Sequence, residues 1–251
     1  MEITLVRHAT LLVRFHGKRL LVDPMLSDVG AMPPVANAPN PKPFPLIPLP
    51  QPASRVLAGV DAVVVTHTHR DHFDDAAASL VPKHLPLFCQ PEDEAKLRTS
   101  GFTDVRPVAD VVECQGIEIC RTAGQHGTGE IGRRMAPVSG FVLRAADERT
   151  LYIAGDTIWC PEVREALRVH APAVTVANAG AAQFHDGDPI TMTADDVIDV
   201  ARGAPGTSVV AVHMETVNHC GLTRSALASR VAGAGLASRV WIPRDGETAQ
   251  Y

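Results

Sequence analysis

At 251 residues, with 45 % apolar residues and a formal net charge of −5, the chain suits one large α/β domain with its own core. It holds no dense Lys/Arg block, which argues against a nucleic-acid partner, and no apolar run near the roughly 20 residues a membrane span requires. The opening Met1–Val6 stretch lacks the charged start, apolar core and cleavage site of a signal peptide, so a soluble cytoplasmic protein is expected.

In chain order, Ile3–Val6, Leu11–Phe15 and Arg19–Val22 read as strands, the last two joined by a turn at His16-Gly17-Lys18. A proline-dense segment over about 32–54 forbids helix or central strand and predicts an extended loop. A loop this long inside a domain is usually functional. Its Phe44, Leu46, Ile47 and Leu49 point to a lid or a subunit contact, hence to a homo-oligomer. Further strands are expected at Ala62–Val65, Leu87–Cys89, Ile117–Thr122, Gly140–Arg144, Leu151–Ala154, Ala173–Ala177, Val209–Val212 and Val240–Ile242. Helices are expected at Asp74–Leu80, Glu92–Ser100, Glu162–Val169, Thr193–Arg202 and Arg224–Ala234. That alternation suits helices covering the outside of two packed sheets.

Cys89, Cys114, Cys120, Cys160 and Cys220 are odd in number and scattered, which argues against a disulfide framework and a thiolate zinc site. Imidazole and carboxylate are the ligands to look for instead. The stretch Thr66-His67-Thr68-His69-Arg70-Asp71-His72 follows the apolar run Val63–Val65. On an extended segment, histidines at i and i+2 lie on one side of the chain, so His67 and His69 can share a cation. Asp71 and His72 can address a second position, and this mixed donor set suits zinc, manganese or iron. Three more candidates each follow an apolar strand: His126, Asp156 and His213. Binding groups gather at such strand ends in α/β proteins.

The joint pattern H-x-H-x-D-H, a separate histidine, a G-D-T aspartate and a late histidine resembles the metallo-β-lactamase superfamily, over essentially the whole chain. The resemblance implies a single-domain, four-layer αββα sandwich with two divalent metal ions at one edge: Zn²⁺ first, with Mn²⁺ or Fe²⁺ accepted by the same ligands. By that likeness His67, His69 and His126 bind one metal, Asp71, His72 and His213 the other, and Asp156 bridges them. Asp71 would also orient the attacking water, and Asp23 would fix an imidazole tautomer.

The opening V-R-H-A-T-L-L-V and the later D-P resemble the branch containing ascorbate-phosphate lactonase and N-acylphosphatidylethanolamine phospholipase D, which would set His8 near the metal edge. Where the lactonases carry H-W-G-T-F, this chain has His213-Met214-Glu215-Thr216-Val217, so their substrate does not carry over. Glu215, His219 and His185 are the candidates for protonating a leaving group or touching substrate. The expected function is hydrolysis of an ester, lactone or phosphodiester bond of a small molecule through a metal-bound hydroxide. The alternatives are a nuclease of the tRNA-processing kind, which commonly carries a basic arm that this sequence lacks, and a non-catalytic scaffold that kept the metal site.

Overall fold

The computed structural model describes residues 1–251. Three strands open the chain, β1 (Glu2–Arg7), β2 (Thr10–Phe15) and β3 (Lys18–Val22), and a short helix, α1 (Ala53–Leu57), follows the proline-rich segment. Strands and helices then alternate through β4 (Ala62–Val65), α2 (Asp75–Leu80), β5 (Leu87–Cys89), α3 (Glu94–Thr99) and β6 (Val105–Pro107). A second series begins with β7 (Val111–Cys114), β8 (Ile117–Ala123), α4 (Gly129–Met135), β9 (Ser139–Arg144) and β10 (Leu151–Ile153). It continues with α5 (Pro161–His170), β11 (Val174–Asn178), α6 (Ala194–Gly203), β12 (Ser208–Val212), α7 (Arg224–Gly233), β13 (Val240–Trp241) and β14 (Thr248–Gln250).

The strands form two seven-stranded sheets, ordered β14-β1-β2-β3-β4-β5-β6 and β13-β12-β11-β10-β9-β8-β7. Three apolar layers hold the stack together. Leu5, Val13 and Val64 of the first sheet meet Phe141, Ile153, Val176 and Val210 of the second. The outer face of the first sheet packs on Val56, Ala77 and Leu97 of α1, α2 and α3. The outer face of the second packs on Val163, Val197 and Leu227 of α5, α6 and α7. Both faces of the central strands are therefore covered, which is why Val63-Val64-Val65 is apolar at every position. The four expected layers are all present.

Pairing direction places the site. β3 through β6 run parallel, as do β10 through β13, and two antiparallel steps bring β1 and β8 into the same sense. The C-terminal ends of β1, β3, β4, β8, β10 and β12 thus open onto one rim, and His8, Asp23, His67, His126, Asp156 and His213 follow them.

The short elements α1, α4, β6, β7 and β14 depart from expectation. β14 is only Thr-Ala-Gln and exists because β1 offers it an edge, in the register Ile3 opposite Ala249. The proline-rich loop folds back on its own domain. Phe44 is buried with Met25, Met32 and Val217, and Leu46 N–H donates to the Thr216 carbonyl. The fully buried Arg7 guanidinium ties this region down, donating to the carbonyls of Met25 (2.9 Å), Ser27 (2.8 Å) and Ile47 (3.0 Å). No helix is long and apolar enough to cross a membrane.

Candidate metal centre

Asp23, at the end of β3, accepts three hydrogen bonds: Thr66 N–H to Oδ1 (2.7 Å), and Thr66 Oγ1–H (2.7 Å) and His72 Nδ1–H (2.8 Å) to Oδ2. With its proton committed to Asp23, the Thr66 hydroxyl is left to accept from His67 Nδ1 at 3.2 Å. His126 Nδ1–H donates to the Ile190 carbonyl at 2.8 Å. Three imidazoles thereby have their Nδ1 protons fixed, which leaves each Nε2 facing inward as the atom a cation would take.

The inward-facing groups gather into two clusters. His67, His69 and His126 form one, and His72 and His213 with Asp71 and His8 form the other. Asp156 lies between them. Its Oδ2 faces His126 Nε2 at 3.4 Å and His67 Nε2 at 4.0 Å, while its Oδ1 faces His72 Nε2 and His213 Nε2, each at 3.2 Å. Asn178, at the end of β11, donates to Asp156 Oδ1 at 2.7 Å and orients it. Asp71 Oδ2 lies 3.3 Å from His8 Nε2 and 3.5 Å from His213 Nε2.

The donor set fits cations. His72 Nε2 and His213 Nε2 stand 3.2 Å apart, and His67 Nε2 and His69 Nδ1 2.9 Å apart. Burial alone lowers the pKa of His72, yet Asp156 and Asp23 outweigh it and raise that pKa to about 10. Burial raises Asp156 and Asp71 in turn, but neighbouring histidines, His213 foremost, hold both well below the usual carboxylate range. Positive charge is strongly favoured between these groups, and nitrogen with oxygen donors is what a zinc, manganese or iron ion takes.

His8, Asp23 and His213 have left-handed backbones, with φ of +61°, +43° and +70°. Non-glycine residues adopt that conformation at a cost of order 1–3 kcal/mol each, and such strain concentrates at functional sites. The His8 ring is fully buried, 3.7 Å by centroids from the His213 ring, and burial with that neighbour lowers its pKa to about 3. It remains neutral and orients Asp71.

A cleft of roughly 230 Å³ opens onto the centre, lined by His69, Asp71, His126 and Asp156 on the polar side. Pro33, Pro34, Val35, Phe44, Met135 and Phe184 make the apolar side, Arg70 stands among the lining residues, and His219 projects into it. The His219 ring is buried, and its Nδ1 has no hydrogen-bond partner. Two expected site residues lie elsewhere. Glu215 is engaged by Arg224, through Nη1 at 2.6 Å and the backbone N–H at 2.9 Å, where it anchors the start of α7. His185 is exposed and contributes its backbone N–H to the Asn37 carbonyl (2.8 Å). Asn178, Arg7 and Phe184 went unread in the sequence. Asn178 alone carried a signal, a polar residue ending an apolar strand as Asp156 does.

Residues 18–214 match the family model described as the beta-lactamase superfamily domain. The chain belongs to the metallo-β-lactamase superfamily. Within that superfamily it is 38 % identical to the UPF0173 protein YddR of Bacillus subtilis, over all of both chains. Among solved structures, this metallo-β-lactamase-fold chain is similar to an isothiocyanate hydrolase from Delia radicum gut bacteria. The two share 37 % identity with a TM-score of 0.95, over 100 % of this chain and 99 % of the other. A further neighbour is described as a possible metal-dependent hydrolase from Veillonella parvula, at 35 % identity and a TM-score of 0.96, covering 99 % and 98 %. This member of the superfamily is a metal-dependent hydrolase with a His/Asp cluster able to bind metal.

Proposed function

We propose that this chain is a dinuclear hydrolase of small, neutral, largely apolar electrophiles, with an isothiocyanate, R–N=C=S, as the leading substrate and an ester or lactone as the second. The division of Asp156 between the two clusters carries the dinuclear reading, since one carboxylate addressing two cation positions holds them at a fixed spacing. Bound there, two divalent cations supply a water acidified towards neutrality and positive charge for the atom that gains electrons.

The protein's own groups do the rest. Asp71, held by His8, accepts a hydrogen bond from the attacking water and aims it at the electrophilic carbon. His219 offers its ring N–H to the heteroatom that gains charge. For an isothiocyanate the net reaction is R–N=C=S + H₂O → R–NH₂ + O=C=S. A C–O bond forms, the C–N bond breaks, and both protons of the water end on nitrogen.

The full-length likeness to an isothiocyanate hydrolase supports this substrate. The cleft supports it independently: four hydrophobic residues and two prolines line it, and Arg70 is the one Lys or Arg among its lining residues. A polyanionic nucleic acid finds little matching charge there, and a non-catalytic scaffold has no need of the seven converging donors. Zn²⁺, Mn²⁺ and Fe²⁺ all suit the donors.

The test is hydrolysis by protein loaded separately with zinc and manganese of benzyl isothiocyanate, a set of lactones and bis(p-nitrophenyl) phosphate, with Asp71→Ala as the blank. Two metal equivalents per chain and turnover of the isothiocyanate are expected. A single equivalent would remove the dinuclear reading. Turnover of the phosphodiester alone would replace the neutral-substrate reading.

A further inference from the structure

Beyond the metal cleft lies a second hollow of about 380 Å³. Val35, Met135 and Phe184 line both spaces, so the two adjoin. Ile131 joins them on the wall of the outer hollow, and Arg134 and Asp186 line it as well.

Helix α4 makes one side of this hollow in an unusual way. Ile131 and Met135 are four residues apart and so share one helix face. A face of that kind ordinarily turns to the core, yet α4 buries none of its residues fully, and both side chains stay half-exposed towards the hollow. The opposite walls are fixed. Asn218 accepts from Val35 N–H (2.8 Å) and donates to the carbonyls of Val35 (3.1 Å) and Asn40 (2.7 Å). The His185 N–H to Asn37 carbonyl bond joins the proline-rich loop to the 184–187 loop. Gly187 lies so close to α4 that a Cβ there would collide with Ile131 Cδ1. Apolar side chains are thus held around an open space next to the reacting centre, the arrangement expected of a preformed ligand site.

We infer that this outer chamber binds the apolar substituent of the substrate, an alkyl or aryl-alkyl group, while the electrophilic carbon sits in the metal cleft. The inference rests on the proposed hydrolase reading and adds the shape of its substrate. Phe184 stands at the junction, its ring centroid 6.2 Å from that of His219, so the group that enters the chamber passes beside the residue that faces the reacting atoms.

The test is calorimetric titration of metal-loaded protein with straight-chain hydroxamic acids from acetyl to octanoyl, whose head group chelates cations without being turned over. Affinity is expected to climb about threefold to fourfold per added methylene until the chamber fills, as burial of apolar surface requires. In Ile131→Trp, which fills the chamber, that climb is expected to flatten, and acetohydroxamate, too short to reach Ile131, reports whether the metal cleft is intact. A flat series in the native protein, or an unaltered climb in Ile131→Trp, would overturn the chamber and leave the metal centre standing. Failure of acetohydroxamate to bind the native protein would remove the metal centre, and the chamber's role with it.

Discussion

Asp23 and His72 are joined by a 2.8 Å hydrogen bond, and the same carboxylate takes both the backbone N–H and the hydroxyl of Thr66. Through Thr66 its influence reaches His67, so one aspartate at the end of β3 sets imidazole tautomers in both clusters. Asp23→Asn should therefore weaken metal binding by about 10- to 100-fold, the usual cost of losing such an outer partner. Competition titration with a chromophoric chelator measures this, and unchanged affinity would show that His72 needs no such anchor.

On the proposed dinuclear reading Asp156 bridges the two cation positions, so Asp156→Ala is expected to lose one or both metals, and activity with them, while the fold survives. Elemental analysis with far-ultraviolet circular dichroism reads both quantities. Two metals retained in that variant would contradict the bridging assignment.

His219 touches no protein partner with its Nδ1 and lines the cleft. Its replacement by Ala is expected to lower kcat on the order of 10²-fold, as loss of a positioned proton donor does, with metal content unchanged. A variant that keeps both its metals and its turnover would return His219 to a packing role.

Glu215 and His185 make the contrasting case. Glu215→Gln loses the ion pair with Arg224 and should cost stability of about 1 kcal/mol, visible in denaturant titration, with turnover within about twofold of the native value. His185→Ala should change neither quantity. A large loss of turnover in either variant would draw that residue back into the site.

Arg7→Met leaves the carbonyls of Met25, Ser27 and Ile47 without their donor, and each unsatisfied buried acceptor costs about 1–3 kcal/mol. A fall in thermal midpoint of roughly 5 °C or more is expected for a chain of this size. Limited proteolysis should then cut first within the proline-rich loop. Retained stability would mean that water replaces the guanidinium at little cost.

The ligand constellation was legible in the sequence because metal-binding chemistry needs particular side chains at particular places in the strand–loop pattern. His67 and His69 alternate on an extended segment, and His126, Asp156 and His213 each follow an apolar strand, so local spacing announces them. The layers were legible for a similar reason, since strands buried on both faces must be apolar at every position, as Val63–Val65 and Val209–Val212 are. Tertiary structure decided what spacing cannot express. Glu215 and His219 sit on one segment only four residues apart, yet one turns to Arg224 and the other into the cleft, because the fold brings the first turn of α7 to the former and Phe184 to the latter. The outer chamber is likewise assembled from residues 35, 131, 135 and 184, which meet only when separate loops pack across the rim. Short elements such as β14 lack an apolar period of their own and form because a neighbouring strand supplies their hydrogen bonds. Long-range packing, which no local pattern encodes, thus chose the shape of the cleft around a candidate metal site whose donor residues were already written in the order of the sequence.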